Sequence, residues 1–362
     1  MCVFATGRMY GSLIAQGLLK GLHMYFVAFL LRDLIICGSN IEPSKFATAS
    51  HPGVSIQPNQ ALCRKVVEMA VSRSTLVSVK WLKNMIASKT ANHRILDASW
   101  HLPNTGRNAK AEYAESHIPG AVFFDIEECA DKNTSVPHQI PSADSFGSYV
   151  GSLGINNETY VTVYDNNPKF GLFSAQRVWW MLRLFGHQPS KISILEGGLP
   201  KWLSEGGEVT DKVSDIQPQN YKAVFNPSLV KNYEDIEKNI TTAEFMLVDA
   251  RPDGRFKGIM PEPRDDTKPG CIPNSKNIPF FAVLNEEDRT LKSPEELKAL
   301  FKEAGIDVEK HFVSSCGTGI SACLLALAAH VCGNDSVSVY DGAWTEWYHR
   351  APAQLKHNVP ED

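Results

Sequence analysis

The residue with the clearest potential for chemistry is Cys316, which opens the stretch Cys316-Gly317-Thr318-Gly319-Ile320-Ser321. The sequence predicts a strand before this stretch and a helix directly after it. The N–H groups of a short loop and of a helix N-terminus stabilise an anion at such a strand end. Thiolate is the nucleophilic form of cysteine, and helix N-termini lower thiol pKa values from about 8.5. A buried cysteine can also be a simple packing residue, but two glycines in the loop favour close backbone approach and hence a nucleophile.

Two kinds of cysteine enzyme fit this loop poorly. A cysteine-dependent phosphatase needs an arginine after five intervening residues to grip the phosphate, and that position is Ala322. A cysteine protease needs a histidine that activates the thiol. The nearest one in sequence is His311, on the predicted preceding strand, and the sequence leaves open whether another histidine lies close in space.

Four segments of the chain recur in the same order at an offset of about 150 residues. The pairs are 96–100 with 248–252, 117–121 with 271–275, 161–165 with 312–316, and 193–198 with 338–343. This offset is far longer than the period of a solenoid repeat, which indicates a duplicated domain. Asp165 thereby aligns with Cys316.

Each half alternates short β-branched runs with helical patterns, which predicts an α/β domain built on a mostly parallel sheet. Expected strands cover 95–97, 161–164, 192–195, 246–249, 311–315 and 336–340, with helices over 174–185 and 320–331. We expect domains at 73–207 and 227–352, a connection at 208–226, and a tail at 353–362. Ligands bind past the carboxyl ends of parallel strands, the place of both Asp165 and Cys316.

Composition excludes several other classes of function. The chain has 362 residues with a formal net charge of −4, so it lacks the basic surface that nucleic-acid binding requires. Its eight cysteines form no CxxC pair, which argues against a disulfide scaffold and a zinc site. We therefore expect no metal and no nucleic-acid partner.

Residues 1–72 differ from the rest of the chain and predict a poorly structured extension. No acidic residue precedes Asp33, whereas Arg8, Lys20 and Arg32 are present. This composition is typical of a mitochondrial transit peptide; the alternatives are an extension without a targeting role, on a cytoplasmic protein, and a secretory signal. The apolar run at 24–31 is too short to span a bilayer, so no stable membrane span is expected.

From about residue 73 to 352 the chain resembles the two-domain rhodanese superfamily. The resemblance rests on the repeat and on the motifs at 96–100, 175–180, 248–251 and 340–342. The loop that begins at Cys316 is similar to that of the mercaptopyruvate-using branch. Thiosulfate-using members place two basic residues directly after the cysteine, where this chain has Gly317 and Thr318. The resemblance implies two tandem rhodanese-like domains, a catalytic second domain, and a site in the cleft between them.

It also implies a reaction. Sulfur would pass from 3-mercaptopyruvate through a persulfide on Cys316 to thioredoxin, a small thiol or cyanide, with release of pyruvate and without a cofactor. Two alternatives are a thiosulfate sulfurtransferase and a sulfur-relay or binding protein that does not turn over.

The site residues follow from the same resemblance. Arg255 and Arg264 match positions that grip the keto-acid end of the donor, and Arg251 is expected to be structural. A proton relay would consist of Thr318, His138 and Glu127, where the usual pattern has Ser and Asp at the outer positions. The remaining loop residues expected to contact the substrate are Gly317, Gly319, Ile320 and Ser321.

Three further expectations concern neighbouring positions. Asn274 stands where the repeat has Gly120, and asparagine can adopt the left-handed conformation of such a turn. Cys271 is either an exposed thiol or an inert replacement, with the inert reading favoured. Cys323 and Cys332 are expected to be buried packing residues.

Overall fold

The computed structural model describes residues 75–361, and the expected N-terminal extension lies outside them. The first half contains five strands and five helices. The strands are β1 (Leu76–Val77), β2 (His93–Asp97), β3 (Ala121–Phe123), β4 (Tyr160–Tyr164) and β5 (Ile192–Leu195). The helices are α1 (Val79–Ala87), α2 (Ala109–Glu115), α3 (Ala143–Ser152), α4 (Ala175–Leu184) and α5 (Gly198–Ser204).

The second half repeats this series. Its strands are β6 (Val230–Lys231), β7 (Met246–Asp249), β8 (Lys276–Asn277), β9 (Phe312–Ser315) and β10 (Ser338–Tyr340). Its helices are α6 (Tyr233–Thr242), α7 (Asp253–Phe256), α8 (Pro294–Glu303), α9 (Ala322–Val331) and α10 (Ala343–Arg350). Short 3-10 turns lie at Pro103–Thr105, Pro189–Lys191, Pro227–Leu229, Phe280–Val283 and Ala353–Leu355.

The two sheets have the same topology. Their strand orders are β1-β5-β4-β2-β3 and β6-β10-β9-β7-β8, and every pairing is parallel. The middle strands, β4 and β9, therefore end at equivalent places, directly before Asp165 and Cys316. The expectation of two tandem α/β domains with parallel sheets is confirmed.

The core is continuous between the two halves because α4 and α9 pack against each other. In α4 every residue except Arg183 is buried, and α9 is buried from Ala322 to Ala329. Helices that are apolar on nearly all sides are found inside proteins. These two helices follow Asp165 and the Cys316 loop, so the same contact holds both loops close to the boundary between the halves.

Element boundaries differ from the expected ones by one or two residues. The strands at 192–195 and 246–249 agree with the prediction, whereas β10 begins at Ser338 and α9 at Ala322. Helix α9 starts late because residues 320–321 form a tighter turn, in which the N–H of Cys323 donates to the carbonyl of Ile320. The strands β1, β3, β6 and β8 have two or three residues each, too few for a recognisable alternation.

The segment 208–226 contains no helix or strand and packs along the first half. The N–H of Gln219 donates to the carbonyl of Gly151, and Tyr221 is buried. A Cβ added to Gly147 would lie 2.8 Å from the carbonyl oxygen of Tyr221. Glycine in α3 thus permits the close approach of this connecting segment.

Two expectations about the turn at 271–275 can be compared with the structure. Asn274 has a φ of 62°, the left-handed conformation predicted for it. Cys271 is buried and its Sγ accepts a hydrogen bond from Asn358, so the exposed-thiol alternative is wrong. Cys323 is buried as expected, whereas the expectation for Cys332 is wrong: it is only half-buried because it lies at the C-terminal cap of α9. Among residues 75–361, no helix combines the length and the apolar character that crossing a bilayer requires.

Candidate functional site

Cys316 lies at the carboxyl end of the central strand β9 and is 2% exposed. Two backbone contacts hold its loop against the start of α10: Trp344 donates its N–H to the carbonyl of Cys316, and Thr345 donates to that of Gly317. Gly319 has a φ of 80°, and a Cβ there would lie 2.9 Å from the carbonyl oxygen of Asp341. A side chain at this position would therefore disturb the loop that surrounds the sulfur.

A cavity of about 450 Å³ opens over Cys316, and both halves line it. The predicted site residues in its wall are Cys316, Gly317, Thr318, Ile320, Ser321, Arg255 and Arg264. The first half contributes an aromatic surface that includes Trp100, Phe170 and Phe173. The structure therefore places Cys316 in a cleft between the halves, where the family resemblance locates the site.

Arg255 belongs to a network of ion pairs in this cleft. Its guanidinium forms an ion pair with Glu262, whose other oxygen accepts from Arg251 at 2.7 Å. Arg251 is fully buried and also pairs with Asp249 at 2.6 Å, which is the structural role expected for it. Arg264 has no carboxylate partner among residues 75–361. The sequence did not indicate that Glu262 would lie between Arg251 and Arg255.

The three predicted relay residues meet although they are far apart in sequence. Thr318 Oγ1 lies 3.0 Å from His138 Nδ1, and His138 Nε2 lies 3.4 Å from Glu127 Oε1. The indole N–H of Trp100 donates to the same Glu127 oxygen at 2.9 Å. A hydroxyl beside Cys316 is thus connected through an imidazole to an exposed carboxylate.

Burial sets the charge state of this histidine. His138 is 5% exposed, and desolvation lowers the pKa of its imidazole below 6.5, although Glu127 opposes the change. The hydrogen bond from His138 lowers the pKa of Glu127 to about 2, with a further contribution from Trp100. A neutral imidazole therefore lies between a hydroxyl and an ionised carboxylate. This arrangement can pass a proton in either direction.

Arg177 connects the relay to the loop of the other half. This fully buried α4 residue pairs with Asp341 at 2.8 Å and donates to the carbonyl groups of His138 and Gly319. Asp341 also accepts the N–H of Ile140 at 2.8 Å. The sequence marked Arg177 and Asp341 only as parts of family motifs, because nothing in a linear pattern shows that they meet.

Asp165 takes the place of the thiol in the first half. One of its carboxylate oxygens accepts the N–H groups of Phe173, Ser174 and Ala175, each at 2.8 Å. Its other oxygen accepts from Asn167 at 3.3 Å. Burial raises the pKa of Asp165, and the N–H groups at the N-terminus of α4 oppose this change by stabilising the carboxylate.

Fold and site together define a tandem α/β protein with a buried cysteine at the end of the central strand of its second sheet. The model of the Rhodanese-like domain matches residues 78–205 and 232–350, so the chain belongs to the rhodanese family. Its relatives of known activity make it a sulfurtransferase.

The relatives carry two different names. The chain is 45% identical over 278 residues to the 3-mercaptopyruvate sulfurtransferase of Homo sapiens, covering 76% of this chain and 92% of that protein. It is 47% identical over 282 residues to the thiosulfate sulfurtransferase of Bos taurus, covering 77% and 93%. The crystal structure of SseA, a 3-mercaptopyruvate sulfotransferase from Escherichia coli, superposes with a TM-score of 0.67 at 34% identity, covering 75% and 99%. Overall identity therefore does not distinguish the two donors.

Proposed function

We propose that this enzyme takes sulfur from 3-mercaptopyruvate, holds it as a persulfide on Cys316 and passes it to a thiol. The choice of donor rests on one observation: the two residues directly after the nucleophile, Gly317 and Thr318, are uncharged. Thiosulfate is a dianion and releases sulfite, so cations beside the sulfur would favour it. Mercaptopyruvate places its one carboxylate away from the sulfur, and the cations here lie at Arg255 and Arg264, in the cavity wall.

The first half-reaction breaks the carbon–sulfur bond of the donor. The Cys316 thiolate attacks the donor's thiol sulfur, a new S–S bond forms, and the electron pair of the broken bond leaves with the enolate of pyruvate. The thiol proton stays on the outer sulfur. N–H groups of the loop favour negative charge on the sulfur, in the manner of an oxyanion hole.

The enolate carbon then needs a proton, and the Thr318 hydroxyl can donate it because Thr318 lines the same cavity as Cys316. We propose that His138 replaces this proton from Nδ1, which lies 3.0 Å from the hydroxyl, while its Nε2 takes up a proton from solvent beside the exposed Glu127. Glu127, 3.4 Å from the other ring nitrogen, would stabilise positive charge that develops on the ring. The methyl group of Thr318 restricts the rotamers of the hydroxyl relative to serine.

Contacts between arginine side chains and the carboxylate of the donor would orient the donor for this attack. A guanidinium can hold a carboxylate through two parallel hydrogen bonds. Arg255 shares its charge with Glu262, whereas Arg264 has no carboxylate partner in the described part of the chain. Arg264 thus supplies a charge that is not engaged in an ion pair within residues 75–361, and Arg255 supplies N–H groups in a fixed orientation.

In the second half-reaction a thiolate attacks the outer sulfur, and Cys316 leaves as thiolate. We propose thioredoxin, small thiols and cyanide as acceptors on the basis of the family resemblance. Thiosulfate remains the second candidate donor, because relatives named for it are as similar to this chain as those named for mercaptopyruvate.

The decisive experiment measures kcat/KM for mercaptopyruvate and for thiosulfate with cyanide as the common acceptor. We expect mercaptopyruvate to be the better donor, and a preference for thiosulfate would refute the proposal. Cys316→Ser should abolish both reactions, and mass spectrometry should show no added sulfur on that variant. Cys332→Ala is the matched control, because Cys332 lies at the far end of α9 and does not line the cavity.

We also propose a mitochondrial location, which rests on the acid-free composition before Asp33. Fusing residues 1–72 to a fluorescent protein tests it directly. Accumulation of the fusion in the cytoplasm would favour the cytoplasmic alternative.

A further inference from the structure

The two halves differ in the length of the segment between the middle strand and the helix that follows it. In the second half this segment runs from Cys316 to Ser321, and in the first half it runs from Asp165 to Ser174. The longer segment ends in the same cleft, where Asn167, Lys169, Phe170 and Phe173 line the cavity. The half without a nucleophile therefore presents an enlarged loop to the catalytic sulfur.

This enlarged loop is held firmly in place. The side-chain oxygen of Asn167 accepts the N–H groups of Lys169 and Phe170, at 3.1 and 3.0 Å. Gly171 has a φ of 69°, and a Cβ there would lie 2.7 Å from Cβ of Arg289 in the second half. The ring of Phe170 meets that of Phe280, also in the second half, edge to face at 4.8 Å. Lys169 consequently has a defined position at the cleft.

Positively charged side chains outnumber carboxylates in the wall of the cleft. Its wall contains four permanent cations and one carboxylate, namely Arg107, Lys169, Arg255, Arg264 and Glu262. Arg255 pairs with Glu262, and Arg107 makes two hydrogen bonds to Glu112, at 2.8 and 2.6 Å. Within residues 75–361, Lys169 and Arg264 lack a carboxylate partner. One lies on each wall of the cleft.

A single monoanionic donor uses only one of these walls. The proposed grip on mercaptopyruvate lies on the second-half wall, which leaves the charge of Lys169 on the opposite wall without a role in the donor reaction. Transfer through a persulfide requires a second substrate, which approaches the same sulfur after pyruvate has left. The half-buried ring of Phe170 also lines the cavity, with Lys169 Nζ 5.1 Å from its centroid, so a short carbon chain bound at Lys169 can contact the ring.

We propose that Lys169 and Phe170 form an acceptor subsite for small thiols that carry a carboxylate. The inference rests on the proposed persulfide mechanism but not on which donor loads the sulfur. The acceptor thiolate attacks the outer sulfur, a new S–S bond forms, and the bond to Cys316 breaks. The electron pair stays on the Cys316 sulfur, and the outer sulfur leaves with its proton as part of the acceptor persulfide. No oxidant is consumed.

Three thiols of similar length and different charge test this subsite: 3-mercaptopropionate, 2-mercaptoethanol and cysteamine. Cys316 is first loaded from either mercaptopyruvate or thiosulfate, and free donor is removed. The rate constant for loss of the persulfide is then measured at equal thiolate concentration. Because no donor is present, an anionic acceptor cannot act by competing with it, and the test works even if thiosulfate proves to be the better donor.

We expect the wild-type enzyme to react faster with mercaptopropionate than with mercaptoethanol. Lys169→Ala should reduce the ratio of these two rate constants about three- to tenfold, as expected for one partly exposed charge. Lys169→Glu should reverse the order in favour of cysteamine. Lys222→Ala, which removes an exposed lysine outside the cavity wall, should leave the ratio unchanged.

Two results would overturn the proposal. The first is an unchanged ratio in Lys169→Ala. The second is a ratio that falls in Arg264→Ala but not in Lys169→Ala, which would show that the acceptor uses the same grip as the donor. Failure of mercaptopyruvate to load Cys316, by contrast, would refute the donor assignment and leave the acceptor measurement intact.

Discussion

Asp165 and Cys316 occupy the same position in two copies of one fold, each directly after the middle strand of its sheet and before a buried helix. In the first copy the carboxylate receives three N–H groups at 2.8 Å. The side chain at this position therefore satisfies the N–H groups at the start of α4. Cys316 stands at the equivalent place before the N-terminus of α9, where a helix end stabilises negative charge on a bound group.

The carboxylate of Asp165 should be a substantial source of stability. Asp165→Asn removes the negative charge. It also replaces one carboxylate oxygen, a hydrogen-bond acceptor, by an NH2 group, which can only donate. Hydrogen bonds to charged groups contribute about 1.5–3 kcal/mol, so a loss of that order in the free energy of unfolding is expected. Urea denaturation provides the measurement. Asp307→Asn, at an exposed turn, should change it by less than about 0.5 kcal/mol, and equal losses in both variants would contradict this account.

Replacing Arg255 and replacing Arg264 should have different effects on the reaction with mercaptopyruvate. Arg264→Ala removes one of the proposed contacts to the carboxylate of the donor and should lower kcat/KM for mercaptopyruvate about ten- to a hundredfold. Arg255→Ala should cost more, since it also leaves one oxygen of Glu262 uncompensated in the cleft. Adding Glu262→Gln to Arg255→Ala should therefore recover part of the loss. Steady-state kinetics of the three variants test this order, and a double variant worse than Arg255→Ala would contradict it.

Removing the imidazole should affect one donor and not the other. Asparagine suits position 138 because the backbone there has a φ of 63°, which asparagine tolerates well. His138→Asn should slow pyruvate formation about a hundredfold, within the usual range for general acid catalysis. Loading of Cys316 from thiosulfate releases sulfite without protonating carbon and should change little. A comparable loss with both donors would indicate that His138 has a structural role.

The pKa of His138 should lie below 6.5 and can be measured by NMR with labelled histidine. Desolvation lowers it, and Glu127 raises it by a smaller amount. Glu127→Gln should consequently lower it further. Because the unfolded chain binds this proton more readily, the contribution of His138 to stability is complete above pH 6.5. It is lost as the pH falls towards the folded-state pKa. A value above 6.5 would contradict the assignment of a neutral ring.

Changing the loop should change the preferred donor. A Cβ at Gly317 would lie 3.0 Å from Nη2 of Arg255. Gly317→Arg with Thr318→Lys should therefore displace the donor grip, remove the relay hydroxyl and place two cations beside the sulfur. We expect the ratio of kcat/KM for mercaptopyruvate to that for thiosulfate to fall by about tenfold or more. Thr318→Ser, which keeps the hydroxyl, is the control. An unchanged ratio in the folded double variant would locate specificity elsewhere in the cleft.

The parts of the site that could be predicted are those repeated in sequence or belonging to a known motif. The repeat aligned Asp165 with Cys316, and the motif identified the loop, the two arginines and the three relay residues. The shared carboxylate of Glu262, the bridging position of Arg177 and the contribution of Lys169 could not be predicted. Each depends on contacts between segments about ten to 160 residues apart, which neither periodicity nor local propensity encodes.

The connection of Arg177 to both His138 and the Cys316 loop has a consequence for how this gene can change. After an ordinary duplication each copy is free to drift, because the other retains the original role. Here the copy without the thiol holds the imidazole, and one guanidinium binds the backbone of both His138 and the Cys316 loop. Neither copy can be replaced by its counterpart from a distant relative without adjusting the other. Chimaeric proteins that combine one half of this chain with the other half of a distant relative should therefore fold in more cases than they show sulfurtransferase activity.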